Sequence, residues 1–190
     1  MATFAVLARA LSPENFAIYT LILGLISFVR LTSLPGIGNA LAQSFARGHR
    51  GDFGRAVILS AKTSLLGMLV LAIAAWWHMY TGDSNMASAL LAASIGFPLY
   101  SGFLYWRNTL VGDEQYWRLL FFDSASFTLR SIAVSVCAFT FPQYIFIVII
   151  LALLAPGLVN LFATFWQARQ IPASASREPD ALRYGIKVSM

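Results

Sequence analysis

The sequence predicts an all-α integral membrane protein, and three observations predict it. Hydrophobic residues make up 58% of the 190 residues and charged ones 11%, far more apolar than a soluble domain of this length. The apolar residues fall into successive runs of ~20, each long enough to cross ~30 Å of hydrocarbon. The Lys and Arg residues gather in alternate connections between those runs, as the positive-inside rule requires of a multi-spanning chain.

The first ten residues, MATFAVLARA, lack the basic start and cleavage site of a signal peptide and read as the tail of a helix. Ser12-Pro13-Glu14 is a helix-start signal, and a first complete span follows from about Asn15 to Leu34. Pro35-Gly36-Ile37-Gly38 interrupts it, because proline lacks an N–H and clashes with the preceding turn. A second helical piece, NALAQSFARG, leads to the basic loop ARGHRGDFGR.

The next run, about Ala56 to Tyr80, closes in Trp76-Trp77-His78-Met79-Tyr80, an aromatic cluster of the kind that marks a membrane interface. Met86 to about Trp106 returns with Pro98 inside it, and RNTLVGDEQYWR is read as a polar connection. Leu119 to about Phe141 crosses again and turns at Pro142-Gln143-Tyr144; the run back holds Pro156-Gly157 at its middle. Five complete spans are thus expected, from about Asn15, Ala56, Met86, Leu119 and Gln143, with partial helices at both ends. In domain terms, residues 1–168 form the helical lobe, 169–183 a cytoplasmic linker and 184–190 the start of a further, truncated helix.

The formal charge of +5 could signal nucleic acid or a membrane surface, and the positions of the charges decide for the membrane. Arg47, Arg50, Arg55, Arg107, Arg118, Arg169, Arg177, Arg183 and Lys187 lie in or beside alternate connections, with Arg9 the exception. The basic side is expected to be cytoplasmic, and the connections around Ser12, Gly82 and Pro142 to face outward. Trp and Tyr sit mostly at helix ends, not among basic residues, which disfavours nucleic-acid binding. Cys137 has no partner for a disulfide or metal site. His49 and His78 are separate, with no HExxH, paired carboxylates or phosphate-binding glycine loop, so no catalytic constellation or cofactor site is expected.

Two arginines lie too deep to be loop residues, Arg30 and Arg130. A charge at the centre of a spanning helix costs ~3 kcal/mol on the insertion scale, so each is expected to face a bundle interior or a wet cavity. The competing readings are that Arg30 snorkels from ~22 Å down its helix toward the cytoplasmic end, and that Arg130 pairs with a carboxylate. Asp123, the acidic residue within a span, is expected to pair at the interface with Lys62 or Arg118. The breaks at Pro35, Gly36 and Gly38 and at Pro156 and Gly157 free backbone groups, as broken helices do at transporter sites, and are candidate hinges. Small residues, Ala87-Ser88-Ala89 with Ala92-Ala93-Ser94 and Gly96, and Ser124-Ala125-Ser126 with Ser131, are expected to be packing faces. Asp113-Glu114, Glu178 and Asp180 read as solvated loop charge.

One stretch is more specific than hydropathy. From Ala8 to Gly67, through ARALSPENF (Ala8 to Phe16) and the Gly36 to Ala40 break before a short basic loop, the chain resembles the N-terminal region of bacterial polysaccharide flippases. These are the O-antigen and capsule translocases of the multidrug/oligosaccharidyl-lipid/polysaccharide exporter superfamily. The resemblance implies two six-helix lobes around a central cavity, of which this chain supplies the N-terminal one. It also implies alternating-access transfer of an undecaprenyl-pyrophosphate-linked oligosaccharide from the cytoplasmic to the outer leaflet of the inner membrane. Arg30 and Arg130 would then offset the charge of the pyrophosphate. The implied partners are the bilayer, the lipid-linked glycan and other polysaccharide-assembly proteins. Because the chain spans roughly one lobe, either it is a fragment of a longer protein or an incomplete gene product, or two copies assemble; the fragment is the favoured expectation.

Two other classes remain open. An ion-coupled multidrug exporter of the same superfamily would be expected to carry acidic residues deeper than Asp123. A non-transporting subunit or enzyme of cell-surface glycan assembly would be expected to show acidic or His-rich catalytic loops.

Overall fold

A computed structural model describes residues 2–33, 35–172, 174–176, 178 and 181–189, and among them the regular structure is all helical. Helix α1 (Ala2–Ala10) leads into α2 (Pro13–Val29). The start of α2 follows from its first residues: the Ser12 hydroxyl accepts the Asn15 N–H at 3.2 Å, with Pro13 and Glu14 in the opening turn. A capped N–H, a proline that needs no N–H partner and an acid at the positive end of the dipole all favour a helix here. At Val29 the helix stops, the chain tightens into a 3-10 turn over Arg30–Ser33, and α3 (Pro35–Ala46) follows.

The remaining helices are α4 (Phe53–Tyr80), α5 (Ser84–Gly102), α6 (Trp106–Gly112), α7 (Tyr116–Thr140), α8 (Ile145–Gln170) and α9 (Ala181–Ser189). Four stretches are long and apolar enough to cross a membrane: Phe53–Tyr80, Ser84–Gly112, Tyr116–Thr140 and Ile145–Gln170. The chain is therefore an all-α, multi-pass membrane bundle. The first expected span is a composite. α2 has 17 residues, or ~25 Å of helix, and needs the 3-10 turn to approach the ~30 Å of a full crossing; Leu34, its expected end, lies outside the described residues.

α5 is the centre of the bundle, packed between α4 and α8, with α7 on the far side of α8. Small residues allow this. Ala87, Ala89, Ala92, Ala93, Ser94 and Gly96 of α5 are all buried, as the small-residue pattern predicted. A Cβ on Gly96 would lie 2.8 Å from Leu153 Cβ, and one on Gly157 would lie 2.9 Å from Leu99 Cγ, so glycines set the approach of α5 and α8. The second expected packing face is different: Ser124 is exposed and Ser126 and Ser131 half-buried, the Ser131 hydroxyl accepting from Thr3 at 3.0 Å. Elsewhere the outer surface is apolar, with Leu66, Ile73 and Trp76 on α4, Phe127 and Phe139 on α7 and Phe162 and Phe165 on α8 exposed. In water such a surface would aggregate; in lipid it is the solvated face.

The loops at one end are tied together. Arg47 pairs with Glu178, Arg50 Nη2 meets Asp113 Oδ1 at 2.8 Å, the Gly51 N–H donates to Ser176 O at 2.8 Å, and the Glu178 N–H donates to Asp52 Oδ2 at 3.1 Å. At the other end Asn15 Nδ2 donates to Pro142 O at 2.9 Å. These pairs correct the reading of Asp113 and Glu178 as solvated charge; each has an arginine supplied by a loop distant in sequence. Asp180 lies outside the described residues. A further difference is α6, a short helix inside what reads as a polar connection. Its Trp106, Thr109 and Leu110 are buried on one face, a pattern of one turn that is too short to register as a periodicity.

Candidate functional site

The two deep arginines line one cavity. Arg30 enters from the 3-10 turn after α2, and Arg130 from the middle of α7. With them stand Tyr100 of α5, Leu104 between α5 and α6, Arg107 at the start of α6, Asp123, Ser126 and Phe127 of α7, and Pro156 and Asn160 of α8, around a volume of about 270 Å³. Arg130 lies 14 residues beyond the first residue of α7, or ~21 Å along the helix, well below the interface. It has no carboxylate within ion-pair distance among the described residues.

Arg30 is exposed at the cavity wall, and its guanidinium carbon lies 6.0 Å from the centre of the Tyr100 ring, at the edge of cation–π range. Asp123 does not pair with Lys62 or Arg118, as the sequence suggested; its Oδ2 meets Arg107 Nη2 at 2.7 Å. Arg118 instead hydrogen-bonds Gln115 at 2.6 Å and covers the Trp166 ring at 4.9 Å. The physical reason is the path of α6, which brings Arg107 from the neighbouring crossing alongside α7, so a tertiary partner displaces the local ones. Three guanidinium groups thus face one carboxylate, and the cavity is net cationic.

Asn160 organises the back wall. Its Nδ2 donates to Tyr100 O at 3.0 Å and its Oδ1 accepts from the Trp106 indole at 3.3 Å; Thr164, one turn on, donates to Phe103 O at 3.0 Å. The last carbonyls of a helix have no intrahelical partner, and in a membrane no water replaces them. Side chains of α8 therefore satisfy the C-terminal end of α5 and hold the kink between α5 and α6 that aims Arg107.

The predicted helix breaks divide into two kinds. Pro35-Gly36-Ile37-Gly38 coincides with a real change of helix: α3 begins at Pro35 after the 3-10 turn. Gly36 and Ile37 pack against Gly185 of α9, where a Cβ on Gly185 would lie 2.8 Å from Ile37 Cα. Pro156 and Gly157 lie inside an unbroken α8, Pro156 at the cavity wall and Gly157 against Leu99. Arg107 and Asn160 are the site residues sequence reasoning missed. The signal for Asn160 was present, an amide in the middle of an apolar run one turn after Pro156. For Arg107 there was none, since an arginine after Tyr105-Trp106 reads as an interfacial anchor.

The fold is an all-α multi-pass membrane bundle with a cationic cavity among its helices. The polysaccharide biosynthesis protein family matches residues 6–189, and the chain belongs to that family. No match was found among curated proteins or solved structures. It is accordingly a multi-pass membrane protein linked to polysaccharide biosynthesis. Among the described residues no cluster of three or more His, Cys, Asp or Glu could hold a metal ion.

Proposed function

We propose that the chain is the N-terminal, six-helix lobe of a two-lobe flippase that moves undecaprenyl-pyrophosphate-linked oligosaccharide from the cytoplasmic to the outer leaflet by alternating access. The observation that carries this reading is the cavity wall where Arg30, Arg107 and Arg130 stand against a single carboxylate. A pyrophosphate diester brings negative charge and several acceptor oxygens into the bilayer. Planar guanidinium groups are suited to receive it. Arg130 lies in the middle of α7 and has no acidic partner among the described residues, so an incoming anion is its natural counterion. The 3-10 turn and the Pro35 to Gly38 junction, where α2 gives way to α3, supply the joint at which Arg30 could change sides. The basic loops face the cytoplasm in this reading, and the lipid-linked glycan and other polysaccharide-assembly proteins are the partners.

The test is leaflet transfer of a fluorescent undecaprenyl-pyrophosphate-linked glycan by the full-length protein in proteoliposomes. Losing one charge-assisted contact of about 1.5–3 kcal/mol lowers transfer about tenfold to a hundredfold in Arg130→Ala and Arg30→Ala, with Arg130→Lys intermediate. Transfer at the wild-type rate in both alanine variants would overturn the reading.

A further inference from the structure

A second cavity, of about 390 Å³, shares Arg30, Leu104 and Arg107 with the first, but its chemistry is different. Past the two arginines the wall carries Asn39 of α3, Ser60 of α4, Ser101 of α5, Tyr105 at the kink and Asn108 of α6, beside the apolar Leu104, Val111 and Leu119, and among the described residues no carboxylate. We propose that this cavity is a sugar subsite, receiving the first hexose attached to the pyrophosphate; the proposal rests on the flippase reading above.

The argument is one of matched chemistry across a shared wall. A lipid-linked glycan places a neutral, hydroxyl-covered ring directly beside an anion. The two cavities place a patch of amides and hydroxyls directly beside a cluster of guanidinium groups, with Arg30 and Arg107 at the boundary. Each amide offers both donors and an acceptor, which suits sugar hydroxyls that are both. The volume falls within the ~300–1,000 Å³ of small-molecule sites.

The backbone is fitted to the amide. A Cβ on Gly38 would lie 2.8 Å from Asn108 Nδ2 and 2.9 Å from its Oδ1, so the Asn108 side chain rests on bare backbone and a larger residue at Gly38 would push it out of place. Gly38 therefore has a role beyond any helix break: it sets the amide's position in the wall.

The experiment measures binding to the protein in nanodiscs with three probes: undecaprenyl pyrophosphate, and the same lipid carrying one glucose or one N-acetylglucosamine. Wild type binds a sugar-bearing probe more tightly than the bare lipid. Asn39→Ala and Asn108→Ala each weaken the sugar-bearing probes about threefold to tenfold and leave the bare lipid unchanged, which also reports that the variants are folded. If the bare and sugar-bearing lipids weaken together, or neither weakens, the subsite is wrong and the cationic cavity stands. If wild type binds none of the three, the flippase reading fails and the subsite with it.

Discussion

At the scale of single residues, what could be read in advance was whatever lipid makes expensive. Arg30 and Arg130 stood out because a guanidinium in an apolar run needs a reason, and both line the same cavity. Arg107 did not, because a residue at the membrane boundary carries no such cost. Glycines show the same asymmetry. Gly24 has nothing within 4 Å of an added Cβ, whereas a Cβ on Gly112 would collide with the Ala42 carbonyl and lie 2.8 Å from Phe45 Cβ; the sequence gives both the same letter. Gly112→Ala is expected to destabilise the protein by about 1–3 kcal/mol through overpacking of α3 on α6. Gly24→Ala, which only removes backbone freedom from a helix, is expected to be neutral or to stabilise by up to about 1 kcal/mol. Thermal unfolding in detergent checks both, and an unchanged midpoint for Gly112→Ala would contradict the close approach of the two helices.

At the scale of elements, the long helices were legible and the joints between them were not. Runs of apolar residues specify α4, α5, α7 and α8 because every backbone group in lipid must find a partner within its own segment. Pro156 looked like a break, yet α8 passes through it from Ile145 to Gln170, since one proline removes one hydrogen bond and neighbours can hold the rest. α6 was hidden in a polar connection, and with it the ion pair of Arg107 and Asp123 that joins α6 to α7 at 2.7 Å. These side chains are 44% and 34% exposed, so solvent screening limits what their pairing adds to stability. A double-mutant cycle with Arg107→Gln and Asp123→Asn, followed by unfolding, is expected to return a coupling of about 0.2–1 kcal/mol. A coupling above about 3 kcal/mol would mean that the pair is desolvated and that this end of the cavity is closed.

At the scale of the whole molecule, the alternation of basic and non-basic connections becomes two ends of one bundle. At one end the loops holding Arg47 and Arg50 meet Glu178 and Asp113; at the other, Asn15 meets the Pro142 carbonyl. Glu178 and Asp113 lower the net charge of the basic end, and a rule built on net charge would lose its signal there. Orientation depends instead on the number of Lys and Arg residues flanking the spans, to which Asp and Glu contribute little, so the paired arginines still count and the basic end is expected in the cytoplasm. Cysteine accessibility tests this directly. The native Cys137 is buried within α7 and leaves wild type as the unlabelled reference. Asn85 and Ser174 are exposed at opposite ends. In intact spheroplasts a membrane-impermeant maleimide should label Asn85→Cys at once and Ser174→Cys only after lysis. The reverse pattern would invert the molecule, place the loops of Arg47 and Arg50 outside, and set the mouth beside Arg107 on the side where a flippase releases its cargo rather than the side where it loads.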